Sequence, residues 1–81
     1  MSSFKLIQGK FSANDAIDII TQMVQVKIKF HENKITNTSN EEDSKLEEKR
    51  IKELQNELQN LRSNLLAKGG LIELSSVINY H

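Results

Sequence analysis

Apolar and polar positions alternate in two different rhythms along this 81-residue chain. Phe4-Lys5-Leu6-Ile7-Gln8 alternates in part and runs up to Gly9, which predicts a short strand over residues 4–8. Ser12 follows as a helix N-cap, with Asp15 three residues on, where a carboxylate can reach back. From there Ala16, Ile17, Ile20, Met23, Val24, Ile28 and His31 recur at spacings of three and four, one face of a helix over residues 13–32. Ile19, Val26 and Phe30 widen that face beyond a single stripe, so this helix needs contacts on more than one side.

Residues 24–30 also support a strand. Val24-Gln25-Val26-Lys27-Ile28-Lys29-Phe30 alternates without a break, and its apolar members are β-branched or aromatic. Helix is favoured because no Gly or Pro offers a turn between Ser12 and Asn33. Residues 33–40 are rich in Asn, Thr and Ser and read as a loop, with Ile35 its one apolar anchor. Ser39 is the expected cap of a second helix over residues 41–68, with Ser44 another candidate start. In that helix Ile51, Leu54, Leu58, Leu61 and Leu65 follow the a/d spacing of a coiled coil. Glu41–Lys45 and Glu48–Lys52 are ion pairs at spacing four in the favourable order. Gly69-Gly70 closes the helix. Leu71-Ile72-Glu73-Leu74, continuing to Asn79, predicts a closing strand over residues 71–79, with Ser75-Ser76 a candidate break.

The expected fold is therefore α+β and mostly helical: a two-helix antiparallel hairpin with short N- and C-terminal strands, in one domain. Two strands alone are marginal in water, so they should lie against the hairpin or extend across a dimer into four strands.

Composition narrows the possible chemistry. The chain has no cysteine and only two histidines, His31 and His81, so a zinc site, which takes about four ligands from Cys, His and carboxylates, is not expected. Eleven basic residues balance eleven acidic ones, unlike the strongly basic domains that bind nucleic acid. Residues 1–40 carry five lysines against three acids, and residues 41–81 six basic groups against eight acids. A split this small is within chance; it also suits packing of the two halves on each other, or of two copies head to tail. No apolar run is long enough to span a bilayer and no signal-peptide pattern opens the chain, so a cytoplasmic location is expected.

Candidate chemical residues have simpler readings. His31 suits a last helical turn, where its cationic form complements the helix dipole. Gly69-Gly70 precedes a strand, the wrong polarity for a phosphate cradle. Lys27, Lys29 and Lys34 read as a solvated face. No catalytic, cofactor-binding or metal-binding residue is assigned.

Phe4-Lys5-Leu6-Ile7-Gln8-Gly9, Ala16-Ile17-Asp18-Ile19-Ile20, Lys27-Ile28-Lys29-Phe30-His31 and Glu48-Lys49-Arg50-Ile51 resemble phrases in a set of short uncharacterised bacterial proteins with no assigned activity. The resemblance covers most of the chain, favours helix over residues 24–31 and transfers no functional residue. The function expected is a non-enzymatic interaction module that forms a homodimer through apolar helix faces. Ile20, Met23, Phe30, Ile51, Leu54, Leu58, Leu61 and Leu65 are its expected interface. The alternatives are an accessory protein that lays a helix in a heterologous partner's groove, and a weak nucleic-acid binder using Lys27 and Lys34.

Overall fold

A computed structural model describes the whole chain, residues 1–81. Four elements follow in order: β1 (Ser2–Ser12), α1 (Ala13–Asn37), α2 (Glu41–Lys68) and β2 (Leu71–Tyr80). The fold is the expected α+β helical hairpin with a two-stranded antiparallel sheet. Residues 24–31 are helical. Neither helix is long and apolar enough to cross a membrane.

Local chemistry sets most of the boundaries. Ser12 stays extended and its hydroxyl accepts from the Asp15 N–H at 3.1 Å, the expected cap. No reciprocal bond from the Asp15 carboxylate forms. α1 continues to Asn37, five residues past its expected end. Asn33 to Asn37 contains no Gly or Pro to stop it, Ile35 lies four residues beyond His31 on the same face, and the Thr36 hydroxyl donates to the Glu32 carbonyl. The connection shrinks to residues 38–40.

Asn40, not Ser39 or Ser44, caps α2. Its Oδ1 accepts from the Glu42 N–H at 2.9 Å and the Asp43 N–H at 3.4 Å. A longer amide side chain one residue nearer the helix reaches two orphan donors at once. Gly69 closes α2 as expected, with φ +65° and its N–H on the Leu65 carbonyl. Glu41–Lys45 forms at 3.9 Å between exposed side chains; Glu48 and Lys52 do not close to ion-pair distance.

The strands are longer than the pattern implied. β1 pairs with β2 from Ser2 opposite Tyr80 to Ser12 opposite Leu71. Gly9 does not end β1, because it carries the strand onward at φ +148°, which a side chain would resist. Ser75 and Ser76 do not break β2. The irregularity lies across from them, a bulge between Lys5 and Ile7.

The core is thin. Ala16, Ile17 and Ile72 are the buried apolar residues, joined by buried His31 and Glu47, five in all of 81. Ile7, Phe11 and Leu74 are half-buried on the ribbon face that Ile72 shares, and this face meets α1. The molecule measures 46 × 34 × 13 Å. Its thinnest dimension is close to the roughly 10–12 Å diameter of one helix with its side chains.

Candidate protein-protein interface

Two apolar stripes run along α1. The first, through Ile17, Ile20, Val24, Ile28, His31 and Ile35, is buried or half-buried. It faces α2, whose Ile51, Leu54, Leu58, Leu61 and Leu65 are all half-buried. The leucine seam is thus occupied within the chain. The second stripe is Ile19, Met23, Val26 and Phe30, again at spacings of four, three and four. At 3.6 residues per turn it lies roughly 140° round the helix from the first. The ribbon borders it at Met23, and its far half, Val26 and Phe30, stands open. Ile19 is half-buried, but Met23 is 37 % exposed, Phe30 55 % and Val26 72 %.

The expected interface residues therefore fall into separate places. Ile51, Leu58, Leu61 and Leu65 belong to the internal seam. Ile20, Met23 and Leu54 come together with Val24, Ile7 and Leu74 around an open apolar groove of about 360 Å³ between the ribbon and the hairpin. Phe30 lies near the hairpin's closed end with Leu46, and the Lys34 ammonium sits 4.7 Å from its ring centre. Val26, the most exposed member of the second stripe, shows in the sequence pattern only as a widening of the first.

His31 is not in a last turn. It is 5 % exposed, well inside α1, and its Nδ1 is hydrogen-bonded to Oε2 of Glu47, itself 8 % exposed. The sequence reading assigns Glu47 no partner. Its position carried a signal, because residues 47, 51, 54, 58, 61 and 65 form one continuous three-four series. A carboxylate on an apolar seam needs a partner across it, and His31 holds the matching place on the first stripe of α1.

The pair is electrostatically complete. The His31 hydrogen bond holds the Glu47 carboxyl below the usual carboxylate range, against the opposing push of burial. Lys34 Nζ at 3.9 Å and Arg50 Nη1 at 3.8 Å from Oε1 favour the charge further. Because an ionised carboxylate only accepts, Nδ1 carries the shared proton and donates it. No buried side-chain nitrogen or oxygen lacks a partner.

An imidazole on a carboxylate is also the pairing found in general bases. Here the adjoining recess is lined by Lys27, His31, Arg50, Glu53, Leu54 and Glu57. It presents no hydroxyl or thiol for the imidazole to activate. No protein-family model, curated protein or solved structure matches this chain.

Proposed function

We propose that this protein is a non-enzymatic interaction module that associates with a second copy of itself through the uncovered apolar stripe of α1. The supporting observation is its surface. The chain exposes 6361 Å², whereas a compact monomer of 9.3 kDa exposes about 5,000 Å². The excess, roughly 1,400 Å² per chain, exceeds the ~800 Å² that each partner covers in an interface of standard size. The radius of gyration agrees: 15.3 Å, against about 12 Å for a compact domain of this length.

The stripe's residue types fit the role. Met23 and Phe30 are enriched at interface centres, and no charged residue interrupts the row. The His31–Glu47 pair takes a structural part in this reading. It sets the height of one helix against the other, as a polar pair at a seam position does in coiled coils, and so keeps the second stripe facing outward. Sedimentation equilibrium across the micromolar range tests the proposal. A dimer that dissociates on dilution supports it, and a folded monomer at every concentration removes it.

A further inference from the structure

We propose that the outer edge of β2 pairs with the β2 edge of the second copy, making a four-stranded sheet of order β1-β2-β2-β1 about a twofold axis. This rests on the reading that the partner is a second copy, and adds the ribbon to the surface that it uses.

The edge is free. The sheet has only two strands. Outside helices and strands the backbone makes three hydrogen bonds, from Thr38, Ser44 and Gly69, all at helix ends. No side chain bonds to the backbone of β2. Its outward N–H and C=O groups therefore lack protein partners. Two strands alone form a marginal sheet, and α1 supports this ribbon on one face only, leaving its edges unpaired.

The two edges are not equivalent. β1 carries devices that protect an edge from pairing, namely a bulge between Lys5 and Ile7 and two lysines, Lys5 and Lys10. β2 has neither. It runs ten residues with no proline, no bulge and one charge, Glu73. At its open end Val77, Ile78 and Tyr80 are exposed. Val77 and Ile78 point to opposite faces, so this end is apolar on both sides, unlike a strand selected to face water.

The same strand on a second copy is a fitting occupant. Antiparallel pairing of identical strands is the isologous contact that closes a dimer. Centred on Val77, it sets Ser76 opposite Ile78 of the second copy and Glu73 opposite the second copy's His81. The two Glu73 carboxylates are then kept apart, and cross-strand β-branched contacts form at the centre.

The chain has no cysteine, so one introduced thiol has only its twin to pair with. Single variants Ser75→Cys, Ser76→Cys, Val77→Cys, Ile78→Cys and Asn79→Cys are oxidised at a concentration where sedimentation shows the dimer. Residues opposed across antiparallel strands have Cα atoms about 4.5–5.5 Å apart, within the range a disulfide spans. The expected result is a cross-linking yield that peaks at one or two adjacent positions in this stretch. Lys10→Cys on β1 and Asn60→Cys on α2 should give about tenfold less. Hydrogen exchange on the unmodified chain supplies the second measurement: β2 amides slow as concentration rises through the dimer transition, and β1 amides do not. A dimer with no β2 cross-linking peak and no β2 protection overturns the edge pairing and leaves self-association standing. A monomer at every concentration overturns both.

Discussion

His31 and Glu47 meet across the helical hairpin, sixteen residues apart in sequence, each on the apolar seam of its own helix. The contact fixes the hairpin's register. Stepping along both helices from this pair, Ile28 comes level with Ile51, Val24 with Leu54 and Ile17 with Leu61. Sliding by one turn would leave a buried carboxylate against isoleucine, at the cost of an unpaired charge.

Removing one partner should therefore hurt more than removing both. Glu47→Leu leaves His31 buried without its acceptor, and His31→Leu leaves Glu47 without its donor. The double variant His31→Leu/Glu47→Leu makes the seam apolar and should recover much of the stability lost in either single variant. Urea denaturation of all four proteins measures the coupling. Simple additivity would mean that the pair does not act as a unit.

Acid should weaken the hairpin through Glu47. Its carboxyl in the folded chain lies below its ordinary value of 4.5, so folding favours the ionised form. The stabilisation is complete above that value and is lost as pH falls through the lower folded value. Thermal melts from pH 7 to pH 3 should show Glu47→Gln less stable than the unmodified chain at neutrality. The gap should narrow as pH drops below about 4.5. A gap independent of pH would remove the charge from the explanation.

The α2 cap separates two adjacent residues. Asn40→Ala deletes an acceptor serving two backbone N–H groups and should cost about 1 kcal/mol in chemical denaturation. Ser39→Ala should change stability by less than about 0.5 kcal/mol. Equal losses would put the cap elsewhere.

In the leucine seam, Leu58→Ala should cost about 2 kcal/mol, the lower end of the range for core leucines, because Leu58 is half-buried. A loss near zero would mean that α1 does not occupy the seam.

Much of this organisation is legible in the residues themselves. The C-terminal bound of α2 follows from the glycines that end its leucine series, and its start from the cap signals around residues 39–44, though Asn40 is the residue that caps it. The uncovered stripe of α1 shows as surplus apolar positions, Ile19, Val26 and Phe30, that one helix contact cannot absorb. The End of α1 was harder to see, because Asn33 to Asn37 is polar enough for a loop yet holds no residue that breaks a helix. Gly9 looked like a stop and is a conformational allowance within the strand. The His31–Glu47 pair was hidden because Glu47 sits in an acidic run that reads as solvated, and its partner lies across the loop. The exposure of the second stripe and the free edge of β2 depend on tertiary arrangement, which local spacing does not encode.

The most direct test compares the unmodified chain with Val26→Glu in sedimentation equilibrium. Val26 is 72 % exposed, so the substitution should change the stability of the isolated fold by no more than about 0.5 kcal/mol. The unmodified chain should sediment at twice its 9.3 kDa mass at micromolar concentration. Val26→Glu should raise the dissociation constant at least about tenfold, with circular dichroism unchanged. An unmodified chain that stays at 9.3 kDa while fully folded, or a Val26→Glu dimer as tight as the original, would contradict self-association through this stripe.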